Sequence, residues 1–450
     1  MKIAFRSFIC LQLLLLFVGI FTPAINQVQA EENQADQSLA HFSQQLTIDV
    51  PHAMAIDAES GQILYQKEAD QLAGIASITK LLSLYVVYDA IAAGKLSLDT
   101  KIPVSADVAA LAREEGYANV PLEESTDLYR AEDLINATIV GSANAAIVAL
   151  AEYIAGSEKD FVSMMKNKLV ELGISEYDLY TASGMSANHL VGDNAPQYSE
   201  DLENRMRARD VLFMARELIA DYPELQDRSQ QAKIDFPLNE EENYPIVNAN
   251  KYVASSPYHR EDVFGLKTGT EKQTGSCILV ITEIAGQPVY AITLGAATDQ
   301  LRYQETNRLL DYLNTQLKYV ELQGAGETAP GGETVDVSQG KQDTTSLVFD
   351  HTLAIFLPKD YDRSSIKTVY SHAWQYNAQG QIVLNAPLEQ SEPVNTVKVG
   401  VDFYQSLFSD NKLKNSIHSS QDVGRINLFV YVSRLMADMF DSWGDQLFGQ

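Results

Sequence analysis

Ala76-Ser77-Ile78-Thr79-Lys80 runs directly into Leu81-Leu82-Ser83-Leu84-Tyr85-Val86-Val87-Tyr88, and the other segments of the 450-residue chain fall into place around this stretch. The apolar run predicts a helix that starts near Ser77 and ends near Gly94. Three residues apart, the Ser77 hydroxyl and the Lys80 amine then share one helix face. The free N–H groups and the positive end of the helix dipole point at whatever oxygen lies beside Ser77. A serine is a weak nucleophile at neutral pH and needs a base within hydrogen-bond reach. An amine one turn away serves once its proton is driven off. The spacing alone says little, because it recurs at Ser163/Lys166, Ser338/Lys341, Ser364/Lys367 and Ser409/Lys412. Position singles out Ser77, which alone heads a long apolar helix.

Before this helix, Ala53-Met54-Ala55-Ile56-Asp57 and Gln62-Ile63-Leu64-Tyr65 flank a Gly61-containing turn and read as a β-hairpin. After it, residues 96–129 are mixed and polar. Helical spacing returns over 132–140, 143–154, 161–172 and 208–219, with a break at Gly141-Ser142. Val263 to Lys267, Ser276 to Thr282 and Val289 to Leu294 are β-branched apolar runs, and 298–320 reads as a last helix. A hairpin at the start and three strands at the end enclose a helical middle. The expected class is therefore α+β, an antiparallel sheet fed from both ends of the domain, flanked by helices, with a helical subdomain.

Residues 324–334 are rich in glycine and poor in apolar side chains, as a linker is. Short alternating runs then predict a small all-β domain over 335–412. In 422–450, Val432, Leu435, Met436, Met439, Phe440, Trp443 and Leu447 share a helical face, opposite Asp438, Asp441 and Asp445. This C-terminal amphipathic helix is expected to lie on a membrane surface, its apolar stripe being too interrupted to span one.

At the other terminus, Lys2 and Arg6 precede the apolar Leu11 to Ile20, and Val28-Gln29-Ala30 supplies small residues for cleavage. Residues 1–30 thus read as a secretory signal, with a domain over 31–323 to follow. Formal charge is −27, and −29 once the signal is removed, which excludes nucleic acid as a partner. Cys10 lies inside the signal, so the exported chain holds one thiol, Cys277, read as a buried apolar residue.

Two more motifs follow the Ser77 helix. Gly141-Ser142-Ala143-Asn144 places a hydroxyl and an amide two residues apart at a helix break; taken alone, helix capping is the better reading of Ser142, since Ser186/Asn188 and Ser409/Asn411 repeat the spacing. Lys267-Thr268-Gly269-Thr270 occurs at the end of a predicted strand. Gly269 there lets a substrate backbone come close, while Lys267 offers a charge and Thr268 a hydroxyl. The seven histidines form no metal-ligand pattern, and no cofactor is implied.

Ser-x-x-Lys at Ser77, Ser-x-Asn at Ser142 and Lys-Thr-Gly at Lys267, in that order, are the set found in penicillin-recognising serine enzymes. The chain resembles the low-molecular-mass penicillin-binding proteins, specifically the D-alanyl-D-alanine carboxypeptidases, from its signal to its terminal helix. The resemblance implies a serine β-lactamase/transpeptidase-like fold and hydrolysis of the terminal D-alanine from peptidoglycan stem pentapeptides. It implies Ser77 as nucleophile, Lys80 as its base and Ser142 as the proton bridge to the leaving amine. Asn144 would hold Lys80 and the substrate amide. The Ser77 and Thr270 N–H groups would form the oxyanion hole, and Lys267, Thr268, Gly269 and Thr270 the seat of the substrate's carboxylate end. β-Lactams would be covalent inhibitors. Two other activities fit the same motifs, a class A β-lactamase and a simple esterase. So does a non-catalytic β-lactam sensor or wall scaffold. No Glu-x-x-Leu-Asn segment of the β-lactamase kind occurs in the helical middle.

Overall fold

The computed structural model describes residues 38–439 apart from 191, 193–197, 240, 254, 409–412, 428 and 438. The expected signal over 1–30, with Cys10, and the distal residues Phe440, Trp443 and Leu447 lie outside the described residues. The chain divides into two compact units. One runs to Leu317 and includes the late stretch Gln405–Ser409. The other holds Lys318–Tyr404 and the residues from Asp410 onward.

In the first unit, β1 (His52–Asp57) and β2 (Ile63–Lys67) form the expected hairpin. The Asp57 carboxylate accepts from the Ser60 N–H at 2.7 Å, and Gly61 takes the positive φ of 66° that closes the turn. Three strands from the end of the unit complete the sheet: β3 (Lys267–Glu271), β4 (Gly275–Ile284) and β5 (Gln287–Ala296). Their order is β3-β4-β5-β1-β2, with antiparallel pairing throughout. β1 lies between the two ends of the chain, His52 opposite Leu294 and Asp57 opposite Val289. Successive residues of β1, β4 and β5 are buried, so both faces of the sheet are covered.

The helix that follows β2, α1 (Thr79–Ala92), is buried on nearly every side because its residues are apolar all round. Around it pack α3 (Asn144–Ala155), α4 (Glu158–Glu171) and α5 (Ala208–Asp221). The helix α2 (Ala131–Gly141) ends at Ser142, whose positive φ of 60° breaks the rod just where α3 begins. The last helix, α6 (Asp299–Gln316), packs on β4 and β5.

Several boundaries differ from the sequence reading. The 298–320 helix stops at Gln316, and Leu317–Gln323 is a strand, β6. Lys267 opens β3 instead of closing a strand begun at Val263, which makes only an isolated bridge to Thr282. In the second unit the expected linker is paired: Thr328 bridges Val348, and the Ala329 N–H donates to Leu347 O. The chain beyond 412 is also part of this β-rich unit, with a strand at Lys414–Ser419 that pairs Pro393–Gly400. Val335, Leu347, Phe349, Ile382, Val397 and Ile417 form its core. The terminal helix covers 429–437, not 422 onward, since Val423 and Arg425 make strand bridges. No helix among the described residues is long and apolar enough to cross a membrane.

Candidate active site

Ala76 carries a positive φ of 43°, and Ala76–Ile78 forms a single 3₁₀ turn before α1. Ser77 therefore sits on the turn that leads into α1, with Lys80 in the first turn of the helix proper. Gly184 makes this turn possible. A Cβ at that position would lie 2.0 Å from the Ala76 carbonyl oxygen, and its φ of 79° disfavours any other residue.

Lys80 is fully buried, and its Nζ meets three oxygens: Ser77 Oγ at 2.9 Å, Asn144 Oδ1 at 2.6 Å and the Ser183 carbonyl at 2.7 Å. Two of these, an amide oxygen and a backbone carbonyl, can only accept. An uncharged amine has two N–H groups and one lone pair. If both N–H groups go to Asn144 and Ser183, the lone pair is left facing the Ser77 hydroxyl. The geometry suits a general base. Burial holds the Lys80 pKa well below the usual lysine range, and the neighbouring Lys267 charge lowers it further, against opposing pulls from Glu271 and Glu158.

Lys267, also buried, donates to Ser142 Oγ at 2.8 Å and to Thr268 O at 2.9 Å. Its pKa is lowered to about 7, first by burial and then by Arg302. Ser142 caps α2 only through its backbone N–H, which donates to Ala137 O; its hydroxyl accepts from Lys267. Asn144 is the first residue of α3, and its N–H donates to Ala118 O. Gly269 brings β3 against the 3₁₀ turn. A Cβ there would stand 2.9 Å from Ile75 O and 3.0 Å from Ser77 N. Hydrogen bonds thus join Ser77, Lys80 and Asn144, and others join Ser142, Lys267 and Thr268; Gly269 lies against Ser77, while Thr270 is exposed on the same strand.

Three parts of the site went unread in the sequence. Arg302 on α6 is 4% exposed, and its Nη1 donates to Gly269 O, Thr270 Oγ1 and Cys277 O at 3.1–3.2 Å. It pins the end of β3 from behind. Its signal was present, because 302, 306, 309 and 313 are all on the buried stripe of α6 and a cation there needs a reason. Asn204 is fully buried. Its amide donates to Thr79 Oγ1 and Thr181 O and accepts from the Tyr180 and Thr181 N–H groups. It ties α1 to the loop that carries the Ser183 carbonyl. Glu158 Oε1 accepts from the Ala182 N–H at 2.8 Å in the same loop. Neither residue lies in a motif that marks it. The buried Cys277 packs between Gly74 O and Gly295 N, its thiol pushed up to about 12 by burial, and is no nucleophile.

A serine and a buried lysine at a helix mouth, beside a second buried lysine that opens the edge strand of a five-stranded antiparallel sheet, define the penicillin-recognising class of serine peptidases. The comparisons agree and are more specific. A family model described as D-alanyl-D-alanine carboxypeptidase matches residues 39–298. The D-alanyl-D-alanine carboxypeptidase DacF of Bacillus subtilis is 22% identical over 95% of this chain and 98% of its own. DacC of Escherichia coli, also a D-alanyl-D-alanine carboxypeptidase, is 28% identical over 60% of this chain and 64% of its own. A similar crystal structure, a peptidoglycan synthesis regulatory factor (PBP3) from Streptococcus pneumoniae, superposes with a TM-score of 0.69 and 30% identity. It covers 84% of this chain and 100% of that one. The chain belongs to the D-alanyl-D-alanine carboxypeptidase family. It is a serine hydrolase of the cell wall, and its family acts on peptidoglycan peptides that end in D-Ala-D-Ala.

Proposed function

We propose that Ser77 is the nucleophile and Lys80 its base, and the three-oxygen seat of the Lys80 amine is the observation that carries this assignment. The Ser77 proton passes to Lys80 Nζ as Oγ bonds to the carbonyl between the two terminal D-alanines. The peptide C–N bond then breaks, Ser142 relays the proton to the leaving amine, and free D-alanine departs. Water, deprotonated by the same amine, hydrolyses the ester and restores Ser77. The N–H groups of Ser77 and Thr270 receive the developing oxyanion, each donor being worth about 3 kcal/mol in sites of this kind. Thr268 and Thr270, beside Lys267, bind the terminal carboxylate, with Gly269 admitting the peptide backbone. Asn144 keeps Lys80 oriented and meets the substrate amide.

A β-lactam forms the same Ser77 ester and leaves slowly. The chain is exported by residues 1–30, its peptidase domain works at the outer face of the cell membrane, and the terminal helix rests on that membrane. The test is labelling with fluorescent benzylpenicillin, followed by peptide mapping by mass spectrometry. One adduct is expected, on Ser77, absent from Ser77→Ala, together with D-alanine release from an acyl-D-Ala-D-Ala peptide. An adduct on Ser163, or none at all, overturns the assignment.

A further inference from the structure

The β-rich unit presents a row of lysines on an exposed sheet face. Four of its strands, β7 (Leu347–Phe349), β8 (Lys367–Tyr370), β9 (Pro393–Gly400) and β10 (Lys414–Ser419), form one antiparallel sheet in the order β7-β10-β9-β8. Burial alternates along β9 and β10 as the pleat requires. Val397, Val399, Asn415 and Ile417 point inward, with Val397 and Ile417 in the core of the unit. Thr396, Lys398, Lys414 and Ser416 leave by the other face. There Val369, Lys398 and Lys414 stand in register across three strands, and Lys367 lies two residues from Val369, opposite Gly400. All three lysines are exposed, as is Val369.

Lys398 and Lys414 are directly opposite one another, which brings their β-carbons to about 5 Å. Like charges so placed repel and weaken the sheet. Among the described residues, no carboxylate forms an ion pair with any of the three lysines. Asp350, which follows β7 and donates its N–H to Ser416 O, turns its carboxylate to His351 Nδ1 at 3.4 Å and His418 Nε2 at 3.8 Å. Thr396 and Ser416, also in register, add two hydroxyls beside the lysine pair. Two ammonium groups and two hydroxyls suit a carboxylate, which accepts several hydrogen bonds at once. The charge of the whole chain narrows the choice of partner. At −27, its surface repels a densely charged polymer such as a phosphate chain. A single carboxylate on a neutral polymer is drawn to the nearest cations, since charges beyond about 8 Å are screened at physiological salt. The polymer on which the family acts carries such groups, because its peptides end in D-alanine and so in a carboxylate.

We propose that this sheet face, through Lys367, Lys398 and Lys414, is a second binding surface for peptidoglycan, engaging the carboxylates of stem peptides that the active site is not processing. It keeps the enzyme on an insoluble substrate between turnovers and is independent of the Ser77 assignment.

The experiment is co-sedimentation of the full chain, treated with benzylpenicillin to block the cleft, with purified peptidoglycan stripped of attached phosphate polymers. The chain is expected in the pellet, and about 0.5 M NaCl should release it. Converting the wall carboxylates to amides, with carbodiimide and ammonia, should weaken binding about tenfold, as should Lys398→Gln combined with Lys414→Gln. Lys398→Arg combined with Lys414→Arg should keep it. The glutamine pair removes a repulsion, so its thermal midpoint by circular dichroism should equal or exceed that of the native protein. A lower midpoint would make the lysines structural and overturn the proposal. Binding that survives amidation or the glutamine pair also overturns it, as does binding only to walls that keep their phosphate polymers. Absence of the native protein from the pellet sinks this proposal and leaves the Ser77 reading intact, because that reading stands on the penicillin adduct. Wall binding without an adduct does the reverse.

Discussion

A protonated amine sealed from water raises the free energy of the folded state, and Lys267 is such a group. Its folded pKa of about 7 lies below the 10.5 of an exposed lysine, so between those values the unfolded chain binds more protons than the folded one. Stability from this residue is therefore lowest below about pH 7 and rises toward pH 10.5, by at most about 1.4 kcal/mol per pH unit for one proton. Urea unfolding of the native protein and Lys267→Met at pH 6, 7, 8 and 9 checks this. Relative to the variant, the native protein should gain stability across the series. A constant difference would mean that Lys267 does not lose its proton in that range. Gly269→Ala tests the same site by shape. The added methyl meets backbone on two sides, Ile75 O and Ser77 N, neither of which can rotate away. Overpacking of this kind costs about 1–3 kcal/mol, so penicillin acylation should slow about tenfold or more, measured by stopped-flow quenching. The three short motifs marked Ser77, Lys80, Ser142, Asn144 and Lys267 in the sequence, and the fold gathers them into the two hydrogen-bonded groups described above. Arg302 escaped because its role is set by tertiary burial, which a helix in isolation does not display.

At the scale of elements, the long apolar helix and the period-two strands were readable because burial on both sides leaves a continuous apolar signature. The boundary between α6 and β6 was not. Leu317, Tyr319 and Val320 continue the helical spacing of Leu309 and Leu313, and only the extended backbone of Leu317 shows the change. The supposed linker misled for a related reason: its strand-like pairing is made by backbone groups of Thr328 and Ala329, and glycine and threonine carry no core pattern. The loop 180–184 was equally silent, yet it supplies one of the three oxygens around Lys80. Asn204 holds it by three hydrogen bonds and ties it to Thr79 Oγ1 on α1 with a fourth. In Asn204→Asp the amide donor to Thr181 O becomes an oxygen that repels it, while the acceptor side is kept. A loss of about 2–4 kcal/mol is expected, since buried partners are left unpaired. The informative readout is kinetic. Penicillin should still label one site per folded molecule, with acylation about tenfold slower, whereas a purely structural role would lower the labelled fraction and leave its rate alone.

Across the whole molecule, an excess of 27 negative charges bears on where the protein can rest. Residues 429–437 are helical, and Phe429, Val432, Leu435, Met436 and Met439 stand 45–87% exposed along a stripe of helical spacing. Burying several such side chains at an acyl boundary yields about 1.5–3 kcal/mol each at full depth, enough for reversible association. Electrostatics acts against it. Asp438, Asp441 and Asp445 lie on the polar side of the same sequence pattern, and each charge near an anionic surface is worth about 1 kcal/mol. The apolar term must then do all the binding, which reverses the lipid dependence of a basic amphipathic helix. In co-sedimentation, the full chain should pellet with phosphatidylcholine vesicles, and less so as phosphatidylglycerol is mixed in. Added salt should restore the lost fraction by screening. Leu435→Asp combined with Met436→Asp places two charges in the stripe and should leave the protein in the supernatant. Binding that grows with anionic lipid, or persists in the double variant, would move the membrane contact to some other part of the chain.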